Sequence, residues 1–260
     1  MRIATWNVNS LNARLPRVEE WLAYADSDVV CLQETKLADA VFPAMAFAAL
    51  GYESVHSGAG RWNGVAILSR VGLDQPRREL SVPGGAQLAE GRFVSARCGG
   101  LSVASVYVPN GRSVGSEHYE AKLAWLGALH DHVAATATGD LPLAICGDFN
   151  VAPEDRDVWD VSAFVGATHV SPAERAALAR LAGRGLVDAF RCVRGEQGLF
   201  SWWDYRAGDF HQHRGMRIDL VLVSASLAGR VRWALIDRNA RKGRLPSDHA
   251  PLVVDLADSA

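Results

Sequence analysis

Cysteine is scarce in this chain of 260 residues, and the four present are far apart. Cys31, Cys98, Cys146 and Cys192 lack the paired spacing of a zinc site or a dithiol redox motif, and read as reduced thiols of a cytoplasmic protein. No apolar run approaches the roughly 20 residues of a membrane span. The opening MRIATWNVN shows no basic, apolar and small-residue blocks in the order of an export signal, so no membrane is expected. A glycine-rich phosphate loop and a Gly-x-Ser-x-Gly nucleophile elbow are both missing. His211 and His213 stand without further ligands nearby in sequence and make no zinc site alone. Net charge is also small, −2, which argues against a surface coated for non-specific nucleic-acid binding. Its distribution is uneven: residues 184–244 hold twelve Lys/Arg against six Asp/Glu. That basic third either supplies a footprint for a polyanion or is an unevenly charged solvated surface.

An apolar fraction of 49% suffices for a large core, and a charged fraction of 22% suits a globular protein. Without a linker, repeat or low-complexity segment, residues 1–260 read as one domain. Residues 141–153, LPLAICGDFNVAP, organise the rest. A short apolar run predicts a buried strand over 141–147; Gly147 breaks it, and Asp148 and Asn150 follow. Such a strand delivers a carboxylate and an amide to a sheet rim, and an Asx-turn explains the same residues equally well. Further strands are predicted at 3–8, 28–34, 52–56, 64–69, 93–97, 101–108, 198–203, 217–223, 231–237 and 250–256. Helical spacing is found at 14–25, 42–50, 117–135 and 172–181. Asn7, Glu34, Tyr107 and Asp148 come at strand ends, whereas Asp219, Asp248 and His249 come at strand starts. Ends and starts share an edge only if some strands run antiparallel, which favours a mixed-sheet α/β sandwich.

Each polar group has a structural explanation when taken singly. Glu34 suits a strand-end salt bridge, Asn7 a turn, and Asp248-His249 a capped turn with a packed ring. Asp219, inside RIDLVLV, is the exception, since a buried acid in a strand needs a cationic or donor partner. Together at one sheet edge they suit metal-assisted phosphodiester hydrolysis. Oxygen ligands from Glu34 and Asn7 favour Mg²⁺, a hard cation held by few protein groups. The aromatics Phe200, Trp202, Trp203 and Tyr205, with Met216 and Ile218, either form an apolar slot beside that metal or belong to the core. The tract 238–244, RNARKGR, either contacts phosphates or is a solvated loop.

The series TWNVN, CLQET, NGVAILS, VYVPNG, GDFN, SWWDYR, RIDLVL and SDHAPL, in this order, resembles the exonuclease III-type apurinic/apyrimidinic endonucleases across nearly the whole chain. These belong to the wider endonuclease/exonuclease/phosphatase superfamily. The resemblance implies a four-layer α/β sandwich, with two mixed β-sheets packed face to face and flanked by helices. It also implies incision 5′ to abasic sites in duplex DNA, with 3′→5′ exonuclease and 3′-end trimming activity. Glu34 and Asn7 then hold Mg²⁺, or Mn²⁺ in its place, and Asp148, Asn150, Asp248 and His249 are further candidate ligands. Asp148 activates water, Asn150 and Tyr107 hold the phosphate, and Asp219 orients His249. Asn110 contacts the DNA backbone, and Trp202, Met216 and Ile218 form the pocket for a sugar lacking its base. Some relatives carry a larger aromatic where Met216 stands. The expected partner is duplex DNA with abasic sites or 3′ ends, bound by a monomer in the cytoplasm. The competing readings are a phosphoesterase of the same superfamily acting on phosphoinositides, sphingomyelin or RNA, and a non-catalytic DNA-binding protein.

Overall fold

The computed structural model describes residues 1–81, 87–88, 90–136 and 142–258. Leu141, the first residue of the predicted 141–147 strand, lies outside them. In chain order the strands are β1 (Arg2–Asn7), β2 (Val29–Gln33), β3 (Glu53–Ser57), β4 (Val65–Ser69), β5 (Asp74–Arg77), β6 (Leu80–Ser81) and β7 (Gln87–Leu88). Then come β8 (Phe93–Cys98), β9 (Leu101–Tyr107), β10 (Leu143–Asp148), β11 (Leu186–Asp188), β12 (Asp219–Ser224), β13 (Val231–Ile236) and β14 (Leu252–Leu256). The main helices are α1 (Leu11–Ala25), α2 (Ala44–Ala49), α3 (Glu117–Thr136) and α4 (Pro172–Ala182). Two six-stranded sheets form, ordered β13-β14-β1-β2-β4-β3 and β11-β12-β10-β9-β8-β5. Each has one parallel pair at its centre, β1 with β2 and β9 with β10, and antiparallel strands outside it. A parallel pair needs a crossover, and α1 and α3 supply the two.

The period of two along a strand sorts residues between layers. Ile3, Val29, Cys31, Val103, Cys146, Val221 and Val254 fill the space between the sheets. Trp6, Val30 and Leu32 face outward onto Val18, Trp21 and Leu22 of α1 and Phe47 of α2. Val106, Ile145 and Leu220 face outward onto Leu126 and Leu129 of α3 and Leu178 and Leu181 of α4. The result is the expected sandwich of helix, sheet, sheet and helix. Among the described residues no helix is long and apolar enough to cross a membrane.

Local differences from the sequence reading have physical causes. Gly147 does not break its strand: β10 runs through Asp148, with Gly147 opposite Val106 and Leu220. A Cβ there would lie 2.0 Å from the Val106 carbonyl oxygen, so glycine serves close strand approach. Residues 198–203 form no regular strand; Trp202 only bridges to Met216 and to His249 before the chain turns away. The exposed β5 and the three-residue β11 carry no alternating pattern that would have revealed them.

Candidate active site

Between the sheets the filling changes from apolar to polar toward one end. Above the apolar core, Thr5 Oγ1 donates to Gln33 Oε1 at 3.2 Å and Gln33 Nε2 donates to Ser105 Oγ at 3.1 Å. Two residues further along β1, β9 and β10 the same inner faces present Asn7, Tyr107 and Asp148. Asn7 Nδ2 donates to Glu34 Oε1 at 2.8 Å and to Asp148 Oδ2 at 2.9 Å, joining the two sheets. Glu34 follows β2 with a left-handed φ of 51°, and its other oxygen lies 2.9 Å from Lys36 Nζ. Asn7 Oδ1 accepts from Asn9 N, and Asn9 Nδ2 donates to Asp248 Oδ1.

Antiparallel pairing sets Asp219 opposite Asp148. His249 Nδ1 donates to Asp219 Oδ2 at 2.8 Å, leaving Nε2 3.8 Å from Asp148 Oδ2. Ser201 Oγ also donates to Asp219 Oδ2, at 2.6 Å. Burial pushes the Asp148 carboxyl up to about 7, and Asp219 adds to this against the opposing pull of His249, Asn7 and the Asn150 backbone. Burial disfavours a charged His249, but Asp219 and Asp148 outweigh it and push the ring up to about 10. Burial, then Glu34 and Asp148, hold the Tyr107 phenol well above its ordinary range, so it remains a donor at neutral pH.

These groups fit a hard divalent cation. Asp148, Asp219 and His249 offer ligand atoms within 4.8 Å of one another. Asp219 Oδ1 is buried without a hydrogen-bond partner among the described residues, which is costly for a carboxylate. Carboxylate oxygens beside a ring that is itself charged match Mg²⁺ or Mn²⁺ better than a soft ion. Asp248 has both oxygens engaged, by Asn9 Nδ2 and by Trp202 Nε1 at 3.1 Å.

A second polar group adjoins the first. Asn150, at a left-handed φ of 51°, sends its backbone N to Asp148 Oδ1 at 2.9 Å and its Nδ2 to Val108 O at 2.9 Å. Its Oδ1 lies 3.3 Å from Asn110 Nδ2 and 3.1 Å from His169 Nε2. Trp202 is half-buried and stacks on His169, with centroids 6.4 Å apart and planes within 7°. Met216 and Ile218 are buried beneath it with Ala152 and Val158.

Sequence reading did not single out His169, Lys36 or Ser201, and it placed Asn9 beside Asn7 at a strand end without giving it a role. Asn9 ends the motif TWNVN, Ser201 opens SWWDYR and Lys36 follows CLQET, but His169 lies in a loop without periodicity and is identified only by its contacts. The 238–244 tract divides: Arg241 is buried, donates to Ser247 O and lies 4.8 Å from the Phe210 ring centroid and 5.5 Å from that of Tyr205. Ser247 Oγ in turn donates to Asn7 O at 2.7 Å and accepts from His249 N. Arg241 is therefore a support of the site rather than a phosphate contact, and Arg238, Lys242 and Arg244 are the exposed basic members.

Comparison with known proteins agrees with this arrangement. The sequence profile described as the Endonuclease/Exonuclease/phosphatase family matches residues 4–249. Exodeoxyribonuclease III of Haemophilus influenzae is 34% identical, over 97% of this chain and 98% of its own. An AP endonuclease from Archaeoglobus fulgidus superposes with a TM-score of 0.94 at 34% identity, covering 98% of this chain and 99% of that one. A 3′ phosphatase from Neisseria, solved bound to a product DNA hairpin, gives 0.95 at 36% identity over 99% and 100%.

Proposed function

The chain belongs to the endonuclease/exonuclease/phosphatase family, among its exonuclease III-type apurinic/apyrimidinic endonucleases, and from that premise we propose a Mg²⁺-dependent DNA repair nuclease. It trims nucleotides and blocking phosphates from 3′ ends of duplex DNA and hydrolyses the phosphodiester 5′ to abasic sites. One juxtaposition supports this reading above the others: a buried carboxylate, Asp148, faces His249 Nε2 at 3.8 Å, with Asn7 linking Asp148 to Glu34.

Asp148 takes the proton of a water attacking phosphorus in line. A carboxyl pushed up to about 7 is suited to accept a proton near neutrality. His249, held charged and oriented by Asp219, donates from Nε2 to a non-bridging oxygen. Asn150 and the protonated Tyr107 donate to oxygens that gain charge in the transition state. Glu34 with Asn7 would hold the metal, with Asp148 and Asn150 as further candidates; of the other two expected ligands, His249 is charged and donates through Nδ1 to Asp219, and Asp248 has both oxygens engaged, so neither is free to serve. When bound, Mg²⁺, or Mn²⁺ in its place, supplies neutralisation of charge on the phosphate and the leaving oxygen. At an abasic site the products are a 3′-hydroxyl and a 5′-deoxyribose phosphate.

Packing of the expected sugar pocket bears on the balance of activities. Met216 and Ile218 are 1% and 2% exposed, and Trp202 is faced by His169. These side chains pack against one another rather than around an open slot, which favours 3′-end trimming over extrusion of a sugar. Asn110, exposed beside Asn150, is suited to contact the DNA backbone. Free thiols at Cys31, Cys98, Cys146 and Cys192 suit a protein working in the reducing cytoplasm, where we place it as a monomer.

One gel tests the assignment: end-labelled duplexes with a central abasic analogue or a 3′-phosphate, with and without Mg²⁺. A metal-dependent 3′ ladder, phosphate removal or a single cut 5′ to the analogue is expected. Turnover of a soluble phosphoinositide with intact DNA would replace the substrate assignment, and full activity in excess EDTA would overturn the metal.

A further inference from the structure

Beneath the Asn110, Asn150 and His169 side chains lies a fully buried ion pair. Lys122, on α3, and Glu174, on α4, are both 0% exposed, and Lys122 Nζ donates to Glu174 Oε1. Taking two charges out of water costs several kcal/mol each, so such a pair is a weak stabiliser unless further hydrogen bonds complete it. Here they do, and most lead to the site. Lys122 Nζ donates to the Asn150 carbonyl at 2.6 Å and to the Asn110 carbonyl at 3.3 Å. Glu174 Oε1 accepts from His169 N at 3.0 Å and from Thr168 Oγ1 at 2.6 Å, while Thr168 Oγ1 lies 3.1 Å from the Asn110 carbonyl. Glu174 Oε2 accepts from Ser171 N at 3.1 Å, closing the cap of α4.

Three of the four residues whose backbones this pair holds, all but Ser171, are the ones whose side chains meet above it. Asn110 Nδ2 and His169 Nε2 both converge on Asn150 Oδ1, at 3.3 and 3.1 Å. Asn150 and His169 hold left-handed φ angles of 51° and 78°, which a side chain larger than glycine keeps only where its surroundings impose them. We propose that the Lys122–Glu174 pair is the positioning element of the phosphate-holding end of the site. It fixes Asn110, Asn150 and His169 in one register from below, without itself reaching substrate. The proposal rests on the reading of Asn150 as a phosphate donor.

The test uses the full chain. In the paired variant Lys122→Met/Glu174→Leu the two charges are removed together, a change that buried ion pairs often tolerate. Folding is followed by thermal unfolding, and kcat and KM are measured on a 3′-phosphorylated duplex, alone and combined with Asn150→Ala. The paired variant is expected to fold and to lose about 10²-fold in kcat, as a misplaced transition-state donor would, with KM changed less. In that background Asn150→Ala should cost under about 3-fold, because the donor is already out of place and losses in one unit do not add. Wild-type kcat in the folded paired variant overturns the proposal, as does a full additive loss from Asn150→Ala. Should the paired variant not fold, Glu174→Gln combined with Asn150→Ala gives the same additivity reading. Were Asn150→Ala in the wild-type chain to keep full activity, the reading of Asn150 itself would fall, an outcome distinct from failure of the positioning element.

Discussion

Asn7 Nδ2 lies 2.9 Å from Asp148 Oδ2, a hydrogen bond between the central strands of two different sheets. The same amide reaches Glu34 Oε1 at 2.8 Å, so the buried carboxylate of Asp148 and the half-buried one of Glu34 share one neutral donor. That donor reduces the repulsion between like charges in a place where water cannot, and a divalent cation would reduce it further. Metal should therefore matter to stability as well as rate. Adding Mg²⁺ to chelated protein is expected to raise the unfolding temperature, an effect that Glu34→Gln reduces, and to restore cleavage abolished by EDTA.

Asp148→Asn keeps the shape of β10 and removes the proton acceptor. Single-turnover cleavage of a 3′-phosphorylated duplex should fall by about 10²–10⁴-fold with an unchanged circular dichroism spectrum. A variant within 3-fold of wild type would remove Asp148 from the proposed role.

His249→Ala and Asp219→Asn should each lower kcat by about 10²–10³-fold, and the double variant should be scarcely worse than either. The two act as one unit through the 2.8 Å bond to Nδ1. Multiplicative losses would show that Asp219 does something other than hold the ring.

The basic tract gives a prediction in two parts. Lys242→Ala with Arg244→Ala should reduce the salt slope of DNA binding by about one for each phosphate that these side chains neutralise. Arg241→Ala should leave that slope unchanged and destabilise the fold by about 1.5–3 kcal/mol, the usual worth of a hydrogen bond to a charged group. Binding isotherms across salt concentrations, with urea unfolding, separate the two parts.

Acid stability should depend on Asp157. Burial would raise its carboxyl, but Arg217 and Arg191 outweigh it and hold it below the ordinary range. Arg217 Nε lies 2.7 Å from Asp157 Oδ1, both side chains fully buried. A depressed folded-state value means stability that is present above the unfolded value and lost as pH falls through the folded one. Asp157→Asn should thus cost about 3–5 kcal/mol at neutral pH, and the gap to wild type should shrink below pH of about 4. A gap constant from pH 7 to pH 3, by urea unfolding, would contradict this.

Most strands were legible because burial on alternate positions leaves a period of two, and each polar interruption fell at a strand end. That is why Asn7, Glu34, Tyr107 and Asp148 could be named as one edge from the order of residues alone. Asp219 was legible as the acid in the apolar run RIDLVLV, and the structure places it at the start of β12.

Sequence by itself determined the alternating strands, the mixed sheets and the supply of carboxylates, amide and imidazole, since these follow from local pattern and residue chemistry. Tertiary structure alone decided which charges are buried and what they hold. Arg241 reads as part of a basic run until aromatic rings from residues 205 and 210 are seen around it. Lys122 reads as the polar neighbour of an apolar stripe until Glu174, 52 residues away, closes on it. His169 has no pattern at all until it meets Asn150 and Trp202. Partners this distant in sequence leave no periodicity behind, because the desolvation that makes them matter exists only once the layers have packed.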